Sequence, residues 1–212
     1  PSSMAVAGLE RGLADEAATV RLGQDLAAAL RIGDVLALSG DLGAGKSTLA
    51  RAIIRSLADD PQAEVPSPTF TLVQTYQARL PVAHFDLYRL GSEDELDELG
   101  FEEAAEDGVV LVEWPERAGT RLMPQALTIR LDHEGTGRRA AIRGEGPAFE
   151  RVARALMLRD FLAGAGWGEA ERRPFAGDAS ARSYEIVSLP GEAVRVLMNA
   201  PALVLGPPVR DG

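Results

Sequence analysis

Eight consecutive residues, Gly40-Asp41-Leu42-Gly43-Ala44-Gly45-Lys46-Ser47, constrain this chain more than any other feature. They match G-x-x-x-x-G-K-[ST], a loop that works only between a buried strand and the start of a helix. Gly40, Gly43 and Gly45 let backbone amides converge on phosphate oxygens, and the helix beginning near Lys46 adds the positive end of its dipole. The flanks fit this requirement. Val35 to Ser39 reads as a short buried strand, and Ser47 to Leu57 as a helix with Leu49, Ile53 and Leu57 on one face. With glycine near 7% of residues, such a match arises by chance in about one chain in a hundred. The loop residues Asp41, Leu42, Gly43, Ala44, Gly45, Lys46, Ser47 and Thr48 are therefore expected to surround the phosphates of a nucleoside triphosphate. Lys46 is expected to bridge the outer phosphates, and Ser47 to bind Mg²⁺. Lys46 is also the only lysine in the chain, every other cationic side chain except the two histidines being arginine. A compact ammonium fits among phosphate oxygens at the base of a tight loop where a planar guanidinium does not.

Magnesium held in this way needs a carboxylate, usually at the end of a neighbouring apolar strand. Glu113, directly after Val109 to Val112, meets that description, and three roles are open to it: direct contact with Mg²⁺, contact through water, or polarisation of the attacking water. In His84-Phe85-Asp86-Leu87-Tyr88-Arg89, strand alternation puts His84, Asp86 and Tyr88 on one face and Phe85 and Leu87 on the other. That polar stripe lines either a site or a solvated hairpin face. His84 is not expected to bind metal, since His133 is the only other histidine and cysteine is absent. Thr69, between Pro68 and Phe70, is a candidate sensor of the terminal phosphate.

The 212 residues carry a net charge of −10. Before Gly144 there are 14 cations and 23 acids, and from Gly144 onward 8 and 9, so the acidity belongs to the first part. A negative surface repels nucleic acid and forgoes the counterion release that drives non-specific binding. Direct RNA binding is not expected. Without cysteine, disulfides and thiolate chemistry are excluded. No apolar run approaches the roughly 18 residues of a membrane helix, and no secretory signal opens the chain, which suggests a cytoplasmic protein. Met4 reads as the native start, preceded by three added residues.

A first helix is expected over about residues 15 to 32, capped by Asp15 and stopped by Gly33. Strands at Phe70 to Gln77 and Val82 to Leu87 are expected to pair as a hairpin turning near Pro81. Ser92 and Glu95 form a capping-box pattern that opens one acidic helix through about Glu106. Val109 to Val112, Ala126 to Leu131 and Arg139 to Ile142 complete the sheet. The fold expected is α/β, a three-layer P-loop NTPase with a mixed central sheet over residues 1–145. A boundary near Gly144 to Pro147 then leads into 146–212, a helix and a small incomplete α+β segment.

Taken in order, GDLGAGKST, SPTFTLV, HFDLYRL and LVEWPER closely resemble the TsaE family of bacterial ATPases over about residues 12 to 143. The resemblance implies an ATP hydrolase required for threonylcarbamoyladenosine in tRNA, acting on the TsaB and TsaD proteins and touching tRNA only indirectly. It implies ATP or ADP and Mg²⁺ as ligands. Lys46, Asp86 and Glu113 become its catalytic set, Ser47 and Glu113 its metal ligands, Thr69 a switch residue and Trp114 a neighbour of the nucleotide. It also implies weak activity alone and stimulation by partners. From about Ala155 to Gly212 the sequence is similar to the start of an aminoglycoside-phosphotransferase-like sugar kinase, of the kind that acts on amino sugars. Gly177 to Ser180 would be its phosphate-covering turn. That segment lacks the kinase's catalytic Asp loop and a second lysine, so no kinase activity is expected of it.

The alternative reading is a small-molecule kinase acting on a metabolite such as an amino sugar, but no arginine-bearing lid is evident. A GTP-dependent switch is excluded, because its N-K-x-D motif needs a lysine other than Lys46. Adenine is favoured.

Overall fold

The computed structural model describes residues 7–175 and 182–200. Met4 and the turn at Gly177 to Ser180 lie outside the described residues. In chain order the elements are β1 (Ala7–Leu13), α1 (Glu16–Ala29), β2 (Val35–Ser39), α2 (Lys46–Ala58), β3 (Val73–Tyr76), β4 (Val82–Asp86), α3 (Glu95–Glu98), α4 (Phe101–Asp107) and β5 (Val109–Glu113). A 3-10 stretch at Pro115–Arg121 is followed by β6 (Leu127–Glu134), β7 (Gly137–Gly144), α5 (Gly146–Gly164), β8 (Glu171–Phe175), β9 (Ser183–Ser188) and β10 (Arg195–Asn199).

Seven strands form a mixed sheet in the order β1-β7-β6-β2-β5-β4-β3. Its centre is parallel, with β2 between β5 and β6 and β4 beside β5, while the β3–β4 hairpin and the β1-β7-β6 meander add antiparallel edges. Parallel strands covered on both faces need apolar side chains on both faces. The central strand shows this residue by residue. Val109 and Leu111 join a core with Leu22 and Leu26 of α1 and Leu49 and Ile53 of α2, whereas Val110 and Val112 pack with Phe85, Leu96 and Phe101 on the opposite face. The result is three layers, α1, α2 and α5 on one side and the shorter α3, α4 and 3-10 stretch on the other.

Two elements differ from the sequence expectation. β1 precedes the first helix, pairing Leu9 with Ile142 and Leu13 with Arg138 along β7. The acidic helix is broken in two, because Gly100 takes a left-handed conformation (φ 70°) that ends α3 and starts α4. Glycine adopts that conformation without the steric penalty other residues carry. The capping box does not form either: Asp94 is the N-cap of α3 and makes no side-chain cap bond. Ser92 and Glu95 meet only through the backbone, the Glu95 amide donating to the Ser92 carbonyl at 3.3 Å, while the neighbouring Glu93 accepts from the backbone N–H and the hydroxyl of Thr120.

Beyond Gly144 the chain stays attached to the sheet. Phe149, Val152, Ala155 and Leu156 of α5 belong to the same core as α1 and α2. Further along, Trp167, Ala170, Val187 and Leu197 form a smaller core with Leu158 and Leu162 of α5, beneath the antiparallel sheet β10-β9-β8. Between these cores lies a buried charge network. Asp25 of α1, only 2% exposed, accepts from Arg159 of α5 (2.8 Å) and from Arg172 of β8 (2.8 Å). Arg172 also forks onto Glu185 of β9 at 2.6 and 2.8 Å.

Removing one member of a buried ion network strands its partners without solvent, at a typical cost of about 3–5 kcal/mol. Asp25→Ala is therefore expected to lower unfolding free energy by about that amount, read as a shifted urea midpoint. An unchanged midpoint would show that the network does not hold the C-terminal segment to α1.

Candidate functional site

The parallel register brings the functional residues to one edge of the sheet. Leu38 and Glu113 are opposite one another on β2 and β5, and Asp86 and Glu113 on β4 and β5. All three strands end there, and β2 runs directly into the glycine loop. In open α/β sheets this carboxyl edge is where ligands bind.

The loop conformation depends on glycine. Gly40 has φ 138°, and a Cβ there would lie 2.3 Å from the carbonyl oxygen of Leu131, so any side chain collides with β6. Gly43 and Gly45 also have positive φ, 77° and 106°. Arg138 of β7 supports the loop from behind, donating to the carbonyls of Ala44 (3.2 Å) and Gly43 (3.1 Å). Those bonds fix the loop backbone together with the Ala44 amide, which donates to the Asp41 carbonyl at 3.1 Å. The sequence reading missed Arg138, because it is distant in the chain and no local pattern marks it.

Lys46 is buried, and its Nζ donates to the carbonyls of Gly40 (2.6 Å) and Asp41 (2.8 Å). The ammonium also lies 4.1 Å from the centre of the Trp114 ring. Burial pulls its pKa below the usual lysine value, opposed by the negative charges of Glu113, Glu116, Asp86 and Asp41. Trp114 sits at the end of β5 with φ 57°, uncommon for a bulky residue, and its ring is 5.0 Å from that of Tyr88. Strained backbone of this kind tends to persist where a side chain is held for use.

Glu113 is 1% exposed and fully engaged: Ser47 Oγ donates to Oε1 at 2.7 Å, and His84 Nε2 lies 2.7 Å from Oε2. His84 and Asp86 of the polar stripe are buried, whereas Tyr88, just beyond β4, is 45% exposed. Asp86 Oδ2 accepts from Ser67 Oγ and Thr69 Oγ1, both at 3.0 Å, and its Oδ1 from the Tyr88 amide at 3.1 Å. Asp86 thereby clips the Ser67 to Phe70 loop over the cavity. Ser67 was not singled out in the sequence, although its place beside Thr69 in a Pro-flanked loop carried the signal.

Leu42, Gly43, Gly45, Lys46, Ser47, Thr48, Ser67, Thr69, Asp86, Tyr88, Glu113 and Trp114 line one cavity of about 340 Å³. The side chains of Asp41 and Leu42 are exposed at the loop tip, so any contact they make with phosphate is through the backbone. Ser47 and Glu113 suit Mg²⁺, which takes one or two protein oxygens and completes its shell with water and phosphate. No cluster of three or more His, Asp or Glu residues suited to a metal occurs among the described residues.

The family model described as threonylcarbamoyl adenosine biosynthesis protein TsaE matches residues 13–141. The chain belongs to the TsaE family. Among its relatives are the tRNA threonylcarbamoyladenosine biosynthesis proteins TsaE of Rickettsia conorii, 41% identical over 121 residues, and of Mycobacterium bovis, 42% identical over 124. These matches cover 57% and 54% of this chain and 69% and 73% of the relatives. The crystal structure of Bacillus subtilis YdiB superposes with a TM-score of 0.63 at 29% identity, covering 74% of this chain and 99% of that one. That share exceeds what residues 13–141 make up, so the likeness to YdiB takes in more of the chain than the family match does. No helix among the described residues is long and apolar enough to cross a membrane.

In this TsaE-family site Asp86→Ala should release Ser67 and Thr69 together. Amide exchange across residues 66–70 is expected to accelerate at least tenfold while that of β5 stays slow; equal protection in the variant would mean that Asp86 does not hold the loop.

Proposed function

We propose that this chain is a Mg²⁺-dependent ATP hydrolase of the threonylcarbamoyladenosine pathway, slow alone and accelerated by the TsaB and TsaD proteins. The observation that carries this reading is the Ser47 hydroxyl at 2.7 Å from Glu113, beneath a loop whose only lysine faces the same cavity. Lys46 would leave the Gly40 and Asp41 carbonyls for the outer phosphates, and the loop amides would hold the remaining oxygens. Bound Mg²⁺ would supply charge neutralisation between the outer phosphates, with Ser47 and Glu113 as its protein ligands. Asp86 would keep Thr69 at the terminal phosphate, and Trp114 with Tyr88 would wall the site. Phosphoryl transfer to water needs positioning and electrostatic stabilisation more than covalent chemistry, which these groups provide.

The acidic character of the ATPase part supports action on a protein complex and only indirect contact with tRNA, and a role in tRNA modification implies the cytoplasm. The kinase alternative is not favoured, since relatives across residues 13–141 are named for tRNA modification. For residues 146–212 we retain the reading of an added segment, similar from about Ala155 to the start of a phosphotransferase-like kinase. Three antiparallel strands following a helix support it.

Two experiments test the proposal. ATP hydrolysis with Mg²⁺ should rise at least tenfold on adding purified TsaB and TsaD, and phosphorylation of an amino sugar without such stimulation would sink it. Lys46→Ala should abolish hydrolysis while shifting the thermal midpoint by only a few degrees, because Lys46 bonds loop carbonyls and packs in neither core. Retained turnover with normal nucleotide affinity would refute its assignment.

A further inference from the structure

We infer that His84 is the positioning residue of Glu113, holding the carboxylate in the one orientation from which it can serve the Ser47 hydroxyl and a metal ion together. This rests on the proposed ATPase site and adds to it a residue to which neither the sequence pattern nor the family match gives a role.

The geometry leads to this step by step. His84 is 1% exposed, on β4, beside Leu111 of β5 in the parallel register. Its side chain shares a face with Asp86 and reaches diagonally to Glu113, so that Nε2 lies 2.7 Å from Oε2. An ionised carboxylate only accepts hydrogen bonds, so Nε2 carries the proton and donates. The two oxygens of Glu113 are thus held from opposite ends, Oε1 by Ser47 and Oε2 by His84. A carboxylate bound at both oxygens cannot rotate about its terminal bond.

The remaining ring nitrogen makes the functional reading stronger than a packing one. Nδ1 is buried and has no hydrogen-bond partner among the described residues. An apolar residue at 84 would avoid both that unsatisfied atom and the desolvation of a buried polar pair. Packing alone therefore disfavours histidine, whereas an Nε2 donor placed at the end of a rigid ring is what orients the glutamate. Outer partners that orient a ligating group in this way typically change metal affinity by about 10–100-fold when removed.

The chain contains only two histidines, His84 and the exposed His133, which makes the tautomer directly measurable. In the ¹⁵N-labelled full chain, one imidazole should appear as the Nε2–H tautomer with a slowly exchanging proton, and it should vanish in His84→Gln. Observation of His84 as the Nδ1–H tautomer overturns the inference, because that form cannot donate to Glu113. The second measurement is ADP binding followed by tryptophan fluorescence, with Mg²⁺ titrated. His84→Leu should raise the half-saturating Mg²⁺ about 10–100-fold while leaving ADP affinity in chelator within twofold, and His84→Gln, which keeps a donor near the Nε2 position, should recover most of the loss. Unchanged Mg²⁺ dependence in His84→Leu, or equal damage in both variants, overturns it. If His84→Leu fails to fold, the wild-type tautomer decides. A wild-type chain that binds Mg²⁺ and ADP but hydrolyses nothing, with the His84 results as expected, would sink the proposed function and leave this inference standing.

Discussion

The parallel pairing of β2 with β5 governs the rest of the molecule. Its register sets Leu38 opposite Glu113, so the strand that launches the phosphate loop ends beside the strand that ends in the acid. A slip of one residue would turn Glu113 to the other face of the sheet and exchange its two apolar sets, since side chains alternate with a period of two. Both faces of β5 are fully buried in different cores, and neither could accept a carboxylate except at the strand end. Core packing and site geometry are therefore one constraint. The same apolar contacts that hold β5 in place set the 2.7 Å separation between Ser47 and Glu113.

Local features of this arrangement were visible in the sequence. The glycine loop, the helix after it, the unbroken apolar run ending in Glu113 and the hairpin with its alternating polar stripe are all encoded within a few residues. Their three-dimensional partners are not. β1 consists of Ala-Gly-Leu-Glu-Arg-Gly-Leu, whose two glycines and two charges hide an edge strand; it forms because β7 offers an unpaired edge. The acidic helix seemed continuous because a capping pattern and many acids suit a helix start. Gly100 outweighs them, and Glu93 is drawn away to Thr120 on a separate segment. Likewise Asp86 could be read as lining a site or facing solvent until β4 was seen to be buried between β3 and β5.

The C-terminal segment is joined to the rest of the molecule in two ways. α5 fills the layer beside α1 with apolar side chains, an ordinary helix–sheet solution. The small sheet adds to its own apolar core with α5 a polar link to α1, through Asp25. A buried carboxylate with two guanidinium partners gives little net stability compared with apolar packing. It does give a geometric preference, because forked hydrogen bonds fix angle as well as distance. The fork onto Asp25 comes from Arg159 and so orients α5 on α1, while Arg172 of β8 adds a single bond; cutting the chain after α5 would leave Asp25 with only one of its two partners.

Arginine carries out this work throughout the chain. Arg138 holds the loop carbonyls, Arg151 spans the Ala29 carbonyl and both oxygens of Asp34, Arg79 reaches the Ala27 carbonyl, Arg159 forks onto Asp25, and Arg172 bonds Asp25 once while forking onto Glu185. Each is a rigid planar donor set, used where two pieces of backbone must stay in register. Lysine is used once, on the carbonyls of Gly40 and Asp41, where the proposed function would have the cation move to a phosphate. A guanidinium there would remain locked to the carbonyls by several bonds at once. An ammonium with freely rotating donors can exchange them one at a time, and the Trp114 ring 4.1 Å away gives it an attractive neighbour where it stands. The division between arginines that fork across elements and one lysine at the glycine loop follows from the shapes of the two groups, and under the proposed function it separates the parts that hold the structure from the part that would respond to a ligand.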